Sequence, residues 1–562
     1  MSSAADRNAR WPLWVLAALS LAFAVVSAGR RWFADDSFIP FRWAANLAHG
    51  SGLAWNAGEA ATDVGAPIGW ALLQSAAIRV GFDPVLFAWT LGAAAGIVLL
   101  WLLYSVGRNA LHLPPGWALL APAALCLQRG FVLGAVDAGP ERPATALAFA
   151  GLAALTLEMR GPLRRRPWSG ALFFGATFLW PLSAALHVAA AAGLALAAFA
   201  GRRVEPETQE EELLEEALEE AEEPPAEIEV VEVGAERRIA LRAIALSLGL
   251  HVVLFGWLLA LRALLLGWTT PDFGWGLAGG GLAAGLRWLA RFPAATEGWL
   301  WGPLLAFGLL VVGDAMPDVA AALLAQWALF GAALVALGGG RTDLLALDPL
   351  LPAFALLLPV ALRGLMHLRG EPAGRRRKIA FAVVGAALAA LLASSSFRAP
   401  VSTAPAPTVE ERRAAALAAL DEAQALAQYL GPAERVAGPR IGLGPYIGGF
   451  HHVDPSGASP RDGKPLSFAD LAAERTTFID AYGRFLFDAP PPRGRAPATA
   501  APWIGAGATL YTLEFPAGRE RYFVFASAAP RGEIERWAAA KGLRFVDAAP
   551  LGAPSREPTL RN

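Results

Sequence analysis

Cysteine is nearly missing from this 562-residue chain. Cys126 stands alone inside an apolar run, which excludes an intramolecular disulfide and a cysteine metal site. Lysine is almost as scarce, since the 47 basic residues include only Lys378, Lys464 and Lys541. That scarcity reads as a compositional bias toward arginine and not as a nucleic-acid footprint. Charge itself is short: 17% of residues are charged, where a soluble domain carries about 25%. With 55% hydrophobic residues and a mean hydropathy of +0.43, a water-soluble protein with a single core is excluded. The chain must contain several apolar runs of bilayer length.

The formal net charge of −1 conceals a segregation. From Glu205 to Glu232 there are 14 glutamates and no basic residue, leaving 34 acidic against 47 basic residues elsewhere, a surplus of 13. One acidic block among scattered arginine clusters is a pattern that can orient a chain in a membrane. The block has the composition of a solvated spacer, with docking to a basic cytoplasmic partner as the other reading. Glutamates spaced i,i+4 within Glu210–Glu223 repel one another on a helix.

The first apolar run, Trp11–Gly29, follows Arg7 and Arg10. It is long for a signal peptide, so it reads as an uncleaved first span with a cytoplasmic N-terminus. Further runs fall at 84–107, 115–135, 143–160, 168–184, 185–200, 239–268, 298–314, 319–338, 348–366 and 379–396. About eleven spans are therefore expected. They place Arg108, the Arg160–Arg166 cluster, Arg202-Arg203 with Arg237-Arg238, and Arg363 to Lys378 on the cytoplasmic side, as the positive-inside rule asks. The breaks near Pro181 and near Asp314–Asp318 decide the count. The apolar stretch 67–80 is too short to span and is expected to lie as an amphipathic helix on the outer membrane face. Of the 20 tryptophans, Trp11, Trp14, Trp32, Trp43, Trp168, Trp299 and Trp301 fall near proposed interfaces, where the indole is favoured.

The expected organisation is a membrane domain over 1–396, with an external loop at 30–83 and a cytoplasmic acidic insert at 204–236. A Pro/Ala/Thr-rich linker follows at 397–408, then an extracytoplasmic α/β domain over 409–562. A polar helix is expected over Glu410–Leu430, and strand, helix, strand over 521–527, 531–541 and 543–547. The Pro-rich stretch Ala489–Pro502 interrupts this domain as a structureless loop.

The most informative stretch follows the first span and reads ADDSFIPFRWAANLAHGSGLAWNAGE, from Ala34 to Glu59. Two adjacent carboxylates just outside a membrane helix are costly unless they are solvated or used. Each raises the other's pKa, so one can act as a base while its neighbour binds a cation or a substrate. The same pair also fits a hydrated helix cap at the membrane surface. His49 and the His451-His452 pair with Asp454 match no recognised metal-ligand spacing and read as surface-loop residues.

In order and spacing this loop resembles the first external loop of the arabinofuranosyltransferase/mannosyltransferase-like branch of GT-C membrane glycosyltransferases. The residues that carry the likeness are Asp35, Asp36, Phe38, Ile39, Phe41, Arg42, Gly50, Gly52, Leu53, Trp55, Asn56, Gly58 and Glu59. Looser likenesses are Ala138–Arg142, where the family has a Gly-Leu-Glu-Thr-like loop, Leu265–Phe273, and the stretch 338–358 containing Arg341. The resemblance implies a mainly α, polytopic GT-C-like fold in the cell (inner) membrane with a C-terminal periplasmic or extracellular domain. It implies an inverting transfer of sugar from a polyprenyl-phosphate donor to an envelope glycan or lipid acceptor at the outer face. Asp35 and Asp36 match the family's acidic pair, one of them being the base. Arg42, Trp55, Asn56, Glu59, Glu141 and Arg341 become candidates for binding phosphate or sugar, an Arg fork being suited to phosphate. A divalent cation, Mg or Mn, is compatible with the pair, and no nucleic-acid partner is implied.

Three segments depart from the family pattern. Residues 62–70 read TDVGAPIGW where the family has Tyr-Thr-Asn, and 178–183 read FLWPLS where it has Thr-Arg-Pro-Glu-Gly. Gly340-Arg341 stands in place of a Gly-Gly-Asp acid, with Asp343 displaced. These losses support the alternative of a non-catalytic membrane scaffold whose external domain binds envelope glycans or a partner. A transporter has little support, because ionisable residues sit near span ends and no paired broken helices are evident.

Overall fold

The computed structural model describes residues 3–33, 37–59, 61, 66–109, 113–127, 131–132, 138–160, 167–200, 233–266, 409–438, 442–453, 470–471, 478–480, 485–488, 508–516 and 521–550. The expected spans at 298–314, 319–338, 348–366 and 379–396, most of the acidic insert, the linker and the Ala489–Pro502 loop lie outside the described residues.

The chain is mainly helical and ends in a sheet. Its helices are α1 (Ser3–Gly29), α2 (Phe38–Ala48), α3 (Ile68–Arg79), α4 (Pro84–Asn109), α5 (Pro115–Ala118), α6 (Leu120–Leu127), α7 (Glu141–Arg160), α8 (Trp168–Leu179), α9 (Ala184–Ala200) and α10 (Val233–Leu266). Among the described residues three stretches are long and apolar enough to cross a membrane: Trp11–Gly29, Pro84–Asn109 and Arg238–Leu266. Four of the eleven expected spans lie outside the described residues, and three is fewer than the seven that fall within them. Apolar run length misses local breaks, and the run at 115–135 is cut at Leu119 into a four-residue and an eight-residue helix. The run at 168–184 yields 12 helical residues, about 18 Å at 1.5 Å per residue, well short of the hydrocarbon core. It stops because Trp180 is extended (φ −145°, ψ 100°), and Pro181–Ser183 forms a 3₁₀ turn. The break suspected near Pro181 is therefore real. Phe173 and His187 stack across it at 4.0 Å, so α9 folds back on α8.

Small residues let these helices approach closely. A Cβ on Gly170 of α8 would lie 2.5 Å from the Ser247 carbonyl oxygen of α10, and one on Gly69 of α3 would overlap the Phe178 backbone of α8. Helix α3 is the expected short apolar helix, but Trp70, Ala71 and Gln74 are fully buried. It packs against α2, α4 and α8, and its apolar residues are spread around the helix.

After the linker come α11 (Val409–Ala427), β1 (Arg435–Ala437), α12 (Leu443–Gly448), β2 (His451–Val453), β3 (Phe478–Ile479), β4 (Leu486–Phe487), β5 (Thr509–Glu514), β6 (Tyr522–Ser527), α13 (Arg531–Ala540) and β7 (Arg544–Pro550). The strand, helix and strand expected at 521–547 are β6, α13 and β7. The sheet order is β2-β1-β3-β6-β5-β7, with β4 beside β6. Strands β1, β2 and β3 are parallel and the other pairs antiparallel. Phe478, Phe523, Phe525 and Ile534, each at most 1% exposed, seat α13 on the sheet. At the opposite edge, β2 and α12 face the loop that follows α2.

Candidate functional site

The loop after α2 is shaped by glycines. Gly50, Gly52 and Gly58 have φ of 86°, 74° and 84°, a region that costs a residue with a Cβ. They fold the segment back on its own helix, where Asn46 Nδ2 donates to the carbonyls of Ala54 (2.8 Å) and Trp55 (3.0 Å).

Arg42, 6% exposed, holds the loop from the preceding turn. Its Nε donates to the Trp55 carbonyl at 2.7 Å, and Nη2 donates to Asn56 Oδ1 and to the Phe450 carbonyl, both at 2.8 Å. The guanidinium also lies 4.8 Å from the centre of the Trp55 ring. Burial lowers the Arg42 pKa to about 10 while Glu59 pulls it up, so the group stays charged at neutral pH.

Asn56 carries the connection across. Its Oδ1 also accepts the His452 backbone N–H at 2.9 Å, and its Nδ2 donates to the His452 carbonyl at 3.0 Å and to Glu59 Oε2 at 3.1 Å. Paired on both sides, this amide mimics a strand partner for β2. Glu59 Oε1 lies 3.2 Å from His451 Nε2, both side chains being about one-fifth exposed. His452 points inward, where Nε2 donates to the Gly438 carbonyl at 2.9 Å and the ring meets Trp55 edge-on at 5.9 Å. Burial, then the Arg42 charge, hold its pKa down to about 3, so it is neutral. Beside this contact, Tyr446 of α12 sits against Phe38 (5.4 Å) and Phe41 (6.2 Å) of α2. Burial, with the Asp83 charge behind it, pushes the Tyr446 hydroxyl up to about 12.

Of the residues singled out from sequence, Arg42, Trp55, Asn56 and Glu59 come together in this clamp. Glu141 heads α7 apart from it, and its flanking Ala138 and Ala144 share a hydrophobic cluster with Phe38, Phe41 and Trp70. Ala138 has φ of 65°, a rare conformation for alanine, just before α7 begins. Asp35, Asp36 and Arg341 lie outside the described residues, as does Asp454. The reading of His451 and His452 as surface-loop residues is corrected: both are on strand β2, one half-buried against Glu59 and one buried under Trp55. No sequence spacing links them to Asn56, 395 and 396 residues away. Among the described residues no three His, Cys, Asp or Glu side chains gather as a metal site.

No family model and no curated protein matches this sequence. Among solved structures, the Archaeoglobus fulgidus oligosaccharyltransferase AglB, a GT-C membrane glycosyltransferase, superposes with a TM-score of 0.51 at 13% identity. The match covers 93% of this chain and 75% of that one. The chain has the GT-C fold. A second structure of the same oligosaccharyltransferase, tethered to an acceptor peptide containing the NVT sequon, gives 0.50 at 12% identity over 97% and 76% of the two chains. ArnT from Cupriavidus metallidurans, bound to undecaprenyl phosphate, aligns over 92% and 99% at 14% identity with a TM-score of 0.48. The loop from His49 to Glu59 is one place where the helical part meets the C-terminal domain, beside the packing of Tyr446 on Phe38 and Phe41.

Proposed function

We propose that this protein is a membrane glycosyltransferase. It moves a sugar from a polyprenyl-phosphate donor to an envelope glycan or lipid acceptor at the outer face of the cell membrane. The observation that carries the reading is the loop from Asp35 to Glu59. Its residue order resembles that of a GT-C first external loop, in a chain with the GT-C fold, and Arg42, Asn56 and Glu59 of its described part are clamped to the C-terminal sheet. One of Asp35 and Asp36 takes the proton of the acceptor hydroxyl as that oxygen displaces the phosphate from the anomeric carbon, with inversion. Arg42 acts from behind: with Nε and Nη2 committed to the loop, it positions Trp55 and Asn56 and contributes a buried positive charge to the site. Glu59, paired with His451, and Glu141 are the described carboxylates offered to sugar hydroxyls, and Arg341 is the candidate for the donor phosphate.

The homologous-fold oligosaccharyltransferase has been crystallised with Zn and sulfate. A divalent cation in this chain would be held by Asp35 and Asp36, the carboxylate pair, and would neutralise phosphate charge. The test is to replace Asp35 and Asp36 with Asn one at a time and assay transfer from a lipid-linked sugar pool in membranes. Loss of transfer with normal expression is expected, and full activity in both variants sinks the assignment.

A second reading is a non-catalytic scaffold. It is favoured by the segment Phe178–Ser183, an apolar helix end and 3₁₀ turn where the family carries polar groups. Turnover of any lipid-linked sugar counts against it.

A further inference from the structure

Arg42, Asn56 and Glu59 each meet a polar group of the C-terminal domain. Arg42 Nη2 donates to the Phe450 carbonyl, the Asn56 amide pairs with the His452 backbone, and Glu59 meets the His451 side chain. The first two contacts use backbone groups, which almost any residue at those positions offers. The third depends on the side chain that the domain supplies. Strand alternation decides which histidine supplies it. His452 turns to the face where its Nε2 donates to the Gly438 carbonyl, so its neighbour on β2 turns the other way, to Glu59.

This pair also differs from the rest of the clamp in exposure. Arg42, Asn56 and His452 are at most 6% exposed, whereas the side chains of His451 and Glu59 are 20% and 24% exposed. The clamp is closed except at one acid–base pair.

Both oxygens of Glu59 are held there. Asn56 Nδ2 has two protons and gives one to Glu59 Oε2, at 3.1 Å, and one to the His452 carbonyl, at 3.0 Å. An ionised carboxylate only accepts, so His451 Nε2 donates to Glu59 Oε1 across 3.2 Å. The 3.4 Å approach of Asn56 Nδ2 to His451 Nε2 is then a contact between two donors. A carboxylate held by one oxygen can still turn about its last bond. Held by both, it has a set plane and offers its remaining lone pairs in one direction, which is the pre-organisation a binding site needs.

We propose that His451 is a positioning residue for sugar transfer. It sets the Glu59 carboxylate to receive a sugar hydroxyl, and the C-terminal domain thereby completes the site that the loop begins. The inference rests on the glycosyltransferase reading, in which Glu59 binds sugar. His451 acts through Glu59 and so couples transfer to docking of β2: with the sheet undocked, Glu59 keeps only its tie to Asn56.

The test compares membranes carrying full-length wild type, His451→Ala and His451→Gln, assayed for initial rate at a limiting lipid-linked sugar pool. His451→Ala is expected to lower the rate about tenfold, the scale of one lost hydrogen bond. His451→Gln is expected to restore it to near wild type, because the Gln amide places a donor where Nε2 stood. Melting temperatures of the three purified chains should agree, since a partly exposed pair contributes little stability. A wild-type rate in His451→Ala overturns the positioning role. So does a low rate in both variants, because a donor at that place would then not suffice. A wild type that transfers no sugar overturns the glycosyltransferase reading, and this inference with it.

Discussion

One oxygen of Asn56 receives both the Arg42 guanidinium, at 2.8 Å, and the backbone N–H of His452, at 2.9 Å. The helix before the loop and the first edge of the C-terminal sheet thus meet on a single side-chain atom. This explains why an asparagine is needed there: only a side chain that accepts on one arm and donates on the other can satisfy both the N–H and the C=O of His452.

Asn56→Asp tests this pairing. The carboxylate keeps the two incoming donors but loses the donation to the His452 carbonyl and gains repulsion from Glu59. A stability loss of about 2 kcal/mol is expected from one orphaned buried acceptor and the added charge. Thermal unfolding of the detergent-solubilised chain measures it. An unchanged melting temperature would mean that the clamp does not hold the two parts together.

Arg42→Lys separates charge from geometry. Lysine preserves the positive charge but has no planar fork with which to serve Trp55, Asn56 and Phe450 together or to lie on the indole. Loss of the fork should cost about 2–3 kcal/mol of stability, the scale of hydrogen bonds to a charged group. Transfer activity should fall with it, because Trp55 and Asn56 lose their positions. A stable variant with only a weakened KM for the lipid donor would instead make Arg42 a direct phosphate ligand.

Much of this clamp was legible in the sequence, for a local reason. Arg42, the glycine pair Gly50 and Gly52, Trp55, Asn56 and Glu59 were singled out through the resemblance of this loop to a GT-C first external loop, and they lie within one helix and the turn that follows it, which brings them together locally. The partners on β2 were not legible, because His452 meets Asn56 only through a fold that closes over 396 residues. Helix length failed differently. Hydropathy over 168–184 is continuous, but the extended Trp180 and the turn at Pro181 are backbone events that apolar composition does not register. The strand and helix pattern at 521–547 was recovered because a continuous aromatic and β-branched run such as Tyr522–Phe525 is a local signal for a buried strand.

Gly170→Ala tests close packing of α8 on α10. Its Cβ would stand 2.5 Å from the Ser247 carbonyl oxygen and 3.2 Å from Leu250 Cβ, and a backbone atom cannot swing aside. Overpacking of this kind costs about 1–3 kcal/mol. Because Ser169 and Ser247 flank the contact, Gly170→Ala should also open the hydrogen bond between them. A lowered melting temperature, together with faster amide hydrogen exchange in α8, is expected.

Acid should loosen the clamp before it unfolds the rest. His452 has a pKa near 6.5 in the unfolded chain and about 3 when buried beside Arg42, so the unfolded state binds the extra proton first. Its contribution is full above pH 6.5 and is lost progressively as pH falls toward 3, so the melting temperature should drop across that window. His452→Gln supplies a non-titrating amide that can reach the same Gly438 carbonyl. It should flatten the acid limb, at the cost of the edge contact with Trp55. The comparison needs only melting curves of the two proteins from pH 7 to pH 4, and parallel slopes would show that the acid sensitivity resides in another group.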